Sequence, residues 1–163
     1  MAGNVKPIPP GYRTVTPYLV VKDGGKAIDY YKEAFGANSV VRMDAPDGRI
    51  MHAEFKIGDS MIMLTEEIGP NRSPQSLGGT PVSIFLYVED VDSVYNKAVA
   101  AGAKADMPPQ DMFWGDRFGK LTDPFGHQWA LATHIEDVAP EEMEKRTQAA
   151  IAQMQQQGAA QAG

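Results

Sequence analysis

The sequence predicts an α+β fold built from two βαβββ modules, and two observations carry that reading. The order strand, helix, three strands occurs twice along the chain, read from apolar residues that alternate in the strands and recur at helical spacing in the helices. Shifting one half by 67 residues places Thr16 on Ser83, Asp23 on Asp90 and Met63 on Ala130, so both ends of the module share one offset. A constant offset is the mark of an internal duplication. With 163 residues the chain is long enough to bury roughly two thirds of its unfolded surface without staples.

Residues 1–11 are Pro-rich and polar and read as an N-terminal arm. The first module spans 12–68. Its first strand is expected over Thr14 to Val21, with Leu19 and Val21 on one face and Thr16, Tyr18 and Val20 on the other; Pro17, which has no N–H, places it at an edge or a bulge. Lys26 to Phe35 carries Ala27, Ile28, Tyr31 and Ala34 at helical spacing and stops at Gly36. Strands follow near Ser39 to Met43, Ile50 to Ile57 and Met61 to Thr65, with turns at Asp47 and Gly48 and at Gly58 and Asp59.

A linker at 69–80 leads to the second module, 81–135. It repeats the order: a strand from Ser83 to Val88, a helix from Val91 to Ala101, and strands over Lys104 to Met107, Arg117 to Leu121 and Gln128 to Thr133. Beyond it, 136–163 reads as a C-terminal helix followed by a disordered tail. Pro140, Glu141 and Glu142 suit a helix start, and Met143, Thr147, Ala150, Ile151 and Met154 form a thin apolar stripe that packs on its own subunit or on a partner.

Composition removes several function classes. There is no Cys, which excludes disulfides, thiolate nucleophiles and sulfur-ligated metals. A net charge of -6 with no basic cluster argues against nucleic acid. No apolar run suits a signal peptide or a membrane span, so a cytoplasmic protein is expected. The Gly24 and Gly25 pair is too short for a phosphate-binding loop, and no nucleotide-cofactor glycine motif is present.

The stretch from Phe113 and Trp114 through Arg117, Phe118, Gly119, Lys120, Leu121, Thr122, Asp123, Pro124, Phe125, Gly126, His127, Gln128 and Trp129 closely resembles the second half of vicinal-oxygen-chelate proteins. That superfamily holds glyoxalases, bleomycin-resistance proteins and extradiol dioxygenases, and the likeness is nearest to its PhnB-like branch. The resemblance implies that the two modules form a paired half-barrel cup, and that sites are completed across a homodimer. In its metal-dependent members the first and last strand of each module each carry one ligand, typically His or Glu. Carried across, those positions are Thr16, Met63, Ser83 and Ala130, none a competent ligand for a divalent metal. No metal and no cofactor are therefore expected.

By strand parity the cup should instead be lined by Thr16, Tyr18, Met61, Met63, Ser83, Phe85, Tyr87, Gln128 and Ala130, a mostly apolar surface suited to a small organic ligand unless these side chains simply fill the half-barrel. His52 and Glu54 share one face of a strand about 7 Å apart and form the candidate catalytic pair, with His52 as proton acceptor; the plain alternative is a solvated charged row completed by Lys56. Trp114, Asp116 and Arg117 form a second candidate, with Arg117 clamping an anion and Trp114 stacking on a flat ligand, or else an internal ion pair under an aromatic plug. The sequence thus predicts a metal-free protein that binds or transforms a small metabolite. The alternative is a metal-dependent lyase, isomerase or oxygenase whose site has moved to His52 and Glu54. An interaction module using the tail helix is a third class.

Overall fold

The computed structural model describes residues 5–161. It contains two four-stranded mixed sheets, α+β in class. Sheet A has the order β1-β4-β3-β2, from β1 (Tyr18–Val21), β2 (Asn38–Asp44), β3 (Ile50–Ile57) and β4 (Ser60–Glu66). Sheet B repeats it as β5-β8-β7-β6, from β5 (Ser83–Tyr87), β6 (Lys104–Asp111), β7 (Asp116–Thr122) and β8 (Gln128–His134). In each sheet the first and last strands pair in parallel and the remaining pairs are antiparallel. The register keeps the repeat: Tyr18 opposes Met63, and Phe85 opposes Ala130, each shifted by the same 67 residues.

Helices α1 (Gly24–Phe35) and α3 (Val91–Ala100) follow β1 and β5. Their caps are equivalent too. Asp23 Oδ1 accepts from Lys26 N at 3.0 Å, and Asp90 Oδ1 accepts from Ser93 N at 3.0 Å, each satisfying a free N–H of the first turn. The short α2 (Pro74–Leu77) lies in the stretch between the modules, and α4 (Pro140–Gln161) ends the described chain. No helix among the described residues is long and apolar enough to cross a membrane.

Several boundaries differ from expectation. β1 begins at Tyr18, because Pro17 has no N–H to give; its carbonyl still accepts from Met63 N at 2.9 Å. Thr16 is therefore outside the strand. β6 runs on to Asp111 through Pro108 and Pro109, with register shifts on either side of Met107. It is an edge strand, where missing donors are tolerated, and Gly119 allows the close approach: a Cβ there would meet Met107 O at 3.0 Å. The tail expected to lack structure is helical to Gln161, since Ala and Gln are good helix formers; residues 162 and 163 lie outside the described residues.

The core lies between the two sheets. Tyr31 of α1 stacks on Phe55 of β3 at 5.3 Å and meets Trp129 of β8 at 5.5 Å, so one ring touches both sheets. Leu19, Val21, Phe55 and Leu64 of sheet A and Leu121, Trp129 and Leu131 of sheet B belong to one buried cluster with α1 and α3. The helices fill the space between the sheets, and the outer faces of the sheets point away from each other. The cup is consequently not closed within one chain: Tyr18, Phe85 and Tyr87 stand 53%, 46% and 66% exposed.

The Asp-Pro-Phe-Gly turn supplies the polar anchor of this core. Asp123 Oδ2 accepts from Tyr31 Oη and Trp129 Nε1, both at 2.8 Å, and its Oδ1 accepts from Phe125 N and His127 N, both at 2.9 Å. His127 Nε2 also donates to Val20 O at 2.9 Å, fastening β1 to the same turn. Asp123→Ala leaves two buried side-chain donors unpaired at about 1–3 kcal/mol each. It should lower stability by about 3 kcal/mol or more in urea unfolding, and a loss below about 1 kcal/mol would show that the anchor is not needed.

Candidate functional site

The outer face of sheet A carries the ionisable pair. β3 alternates, with Ala53, Phe55 and Ile57 buried under α1 and His52, Glu54 and Lys56 on the outer face. Register aligns Tyr18, Met63, Glu54 and Val41 in one row across the four strands. His52 Nε2 donates to Glu54 Oε1 at 2.9 Å, and the ring edge of Tyr18 meets His52 at a centroid distance of 5.9 Å. Tyr12, from the arm, donates its hydroxyl to Glu54 Oε2. The bond from Tyr12 first, and that from His52 second, hold the Glu54 carboxyl below the usual range. A neutral imidazole that donates from Nε2 keeps its lone pair on Nδ1, which is what a proton acceptor at this position would use.

The outer face of sheet B is aromatic. Phe85, Ala130 and Lys120 form one row, and Tyr87, Ala132, Phe118 and Gln110 the next. Phe118, Ala130 and Ala132 are buried together there, with Met107, Met112 and Trp114 packed against them, so this aromatic trough is filled by its own side chains. Phe85 stacks with Phe118 at 5.6 Å, Phe85 meets Tyr87 at 4.9 Å, and Trp114 sets its edge on Phe118 at 5.7 Å. Lys120 Nζ lies 5.8 Å from the Phe118 ring centre. By register Lys120 stands where Glu54 stands in the first module, since Lys120 opposes Ala130 and Glu54 opposes Met63.

Asp116 is buried at the end of this trough. Its Oδ2 accepts from Tyr87 Oη at 3.0 Å and Trp114 Nε1 at 3.1 Å, and its Oδ1 accepts from His134 Nδ1 at 2.8 Å. His134 Nε2 donates onward to Asp137 Oδ1 at 3.0 Å. Two carboxylates on the two ring nitrogens require both protons, so Asp137 first and Asp116 second raise the His134 pKa above its ordinary value.

The remaining sequence candidates lie apart. Arg117 points to the opposite side of β7 from Asp116. It donates to Asp92 of α3 through Nε at 2.6 Å and Nη2 at 2.9 Å, and to Asp111 through Nη1 at 2.8 Å. It is a strut between helix and sheet, and neither the expected clamp nor an Asp116–Arg117 pair forms, because neighbouring strand residues face opposite ways. Thr16 Oγ1 donates to Arg13 O at 3.2 Å, and Ser83 is exposed at the start of β5.

Thr16, Met63, Ser83 and Ala130 do not fit a divalent metal. Thr16 and Ser83 offer only neutral hydroxyls, Met63 offers a neutral thioether between Tyr18 and Glu54, and Ala130 offers no donor atom. Among the described residues no group of three or more His, Asp and Glu converges within the chain.

Residues 13–131 match the model of the Glyoxalase/Bleomycin resistance protein/Dioxygenase superfamily. The chain belongs to that superfamily. An uncharacterised Mycobacterium bovis protein is 40% identical to this superfamily member over 149 residues, covering 88% of this chain and 94% of the relative. The crystal structure of TioX from Micromonospora sp. ML1 superposes with a TM-score of 0.62 at 29% identity, over 76% of this chain and 99% of TioX. A PhnB protein from Bacillus cereus superposes at 0.60, over 74% of this chain and 99% of that chain; at 20% identity it shows the shared fold.

Three residues of these faces were absent from the sequence candidates. Lys120 was legible, since it alternates with Phe118 on one strand. His134 lies about 13 Å beyond Ala130 along an extended strand, too far to stand in its place. Its partner is Asp116, which the antiparallel register places directly opposite it. Tyr12 had no signal, because it reaches Glu54 across 42 residues of chain.

The His134 contacts fix a sign. A histidine whose folded pKa is raised stabilises the fold fully below its unfolded value of about 6.5, and that stabilisation disappears as pH climbs through the folded value. The stability difference between wild type and His134→Gln should therefore be largest below about pH 6 and vanish at alkaline pH. A difference that grew with pH in urea titrations would contradict the pairing of His134 with Asp116 and Asp137.

Proposed function

We propose that the protein binds or transforms a small organic molecule, partly aromatic or anionic, without a metal at the superfamily's usual position. The observation that carries the reading is the aromatic outer face of sheet B: Phe85 and Tyr87 stand exposed on it, Phe85 stacks with Phe118, and Ala130, opposite Phe85, offers no metal-ligating atom. Such a surface offers ring contacts, and Lys120 adds a positive charge beside them. Across the cup the partner face contributes His52 and Glu54. The exposed Tyr18, Phe85 and Tyr87 support a site completed when sheet A of one subunit meets sheet B of another in a homodimer.

Chemistry, where it occurs, falls to His52. Its Nδ1 takes a proton from the bound molecule, and Glu54 stabilises the imidazolium that results. In the purely sequestering form the same cup holds its ligand without that step.

Ligand-detected NMR against a panel of planar aromatic acids and their neutral analogues tests the reading. Phe118→Ala should weaken every hit at least about tenfold, the loss of about 1.4 kcal/mol of ring contact. His52→Ala should leave affinity intact; turnover lost in that variant identifies an enzyme, and no turnover in either form identifies sequestration. Hits that bind Phe118→Ala as well as wild type would overturn the assignment of the trough.

A further inference from the structure

The N-terminal arm is folded back onto the working face of sheet A. Tyr12 N donates to Pro9 O at 3.2 Å, closing a turn that brings the arm over β3 and β4. Ile8, Pro9, Tyr12 and Thr16 from the arm side, with Glu54 and Met63 from the sheet, line a cavity of about 520 Å³. The arm is thereby one wall of a hollow whose floor carries Glu54 and Met63.

Tyr12 divides the Glu54 carboxylate with His52. Its phenol donates to Oε2 and the imidazole donates to Oε1, so each oxygen has a different partner. A carboxylate held by one bond turns freely about its last torsion, which is broad for Glu. One held at both oxygens keeps Oε1 aimed at His52 Nε2, and so keeps the ring proton on Nε2 and Nδ1 bare. We propose that Tyr12 is a positioning residue for the His52–Glu54 pair and that the arm is a wall of the small-molecule site. The inference rests on the reading of His52 as proton acceptor.

The surroundings leave this task to Tyr12. On the same face, Lys56 follows two residues along β3, the Tyr18 ring meets His52 from β1, and Arg13 lines the same hollow, with a guanidinium nitrogen 3.9 Å from Asp59. β4 presents Met63 and β2 presents Val41 and Met43 to the pair, all without charge. The titration directions agree: the bond to Tyr12 is the largest cause lowering the Glu54 pKa, and the bond to Glu54 is the largest raising that of Tyr12.

The test is Tyr12→Phe, which keeps the ring and deletes the hydroxyl. The Glu54 side-chain carboxyl is followed by ¹³C NMR across acid pH, and the His52 tautomer by ¹⁵N shifts at pH 8. In the variant the Glu54 midpoint should move up towards the ordinary carboxylate range, and His52 should pass from the Nε2–H tautomer to a mixture of both. A wild-type Glu54 midpoint in the variant, or a His52 that stays wholly on Nε2, overturns the role of Tyr12 while leaving the acid–base pair standing. A wild-type His52 protonated on Nδ1 at pH 8 would remove the pair itself, and the inference with it.

Discussion

The Asp123 carboxylate is the polar group on which both modules depend. It accepts from Tyr31 of the first module and Trp129 of the second, and it pins the turn that carries Phe125 and His127. A carboxylate in a core is costly unless its oxygens are satisfied, and here four donors satisfy it. The arrangement fixes α1 between the sheets. With Tyr31 held to Asp123, its ring has Phe55 on one side and Trp129 on the other, and the two sheets must face each other through the helices.

That geometry decides where function can lie. The inner faces are used up in the core, so the outer faces are what each chain has to offer. They differ in chemistry although they descend from one repeat. Where the first module has His52 and Glu54, the second has Phe118 and Lys120 on the equivalent strand. The outer face of sheet A thus carries a histidine bonded to a carboxylate, and that of sheet B an aromatic cluster beside one lysine. This division of chemistry supports the proposal that two copies complete the site.

Alternation and spacing made most of the fold legible in the sequence. Phe55 and Ile57 declared the inner face of β3, and Asp23 and Asp90 declared the two helix starts. How the modules pack was not legible: edge-to-edge and face-to-face pairings bury the same alternating residues, and long-range contacts such as those of Tyr31, Phe35 and His127 distinguish them. Within the site, His52 and Glu54 could be paired from strand parity alone. The separation of Asp116 from Arg117 was equally readable from parity, but their adjacency suggested a pair. Tyr12 and His134 depend on a loop path and on an antiparallel register, which single-sequence patterns do not specify.

We propose a cup without the superfamily's metal, completed by a second copy of the chain. Native mass spectrometry of the tag-free protein tests it most directly, because one spectrum reports subunit number, bound metal and any co-purified small molecule. The account predicts a dimer whose mass equals two bare chains, or two chains plus an organic molecule. A monomer at micromolar concentration, or a stoichiometric excess equal to a divalent metal, would contradict it.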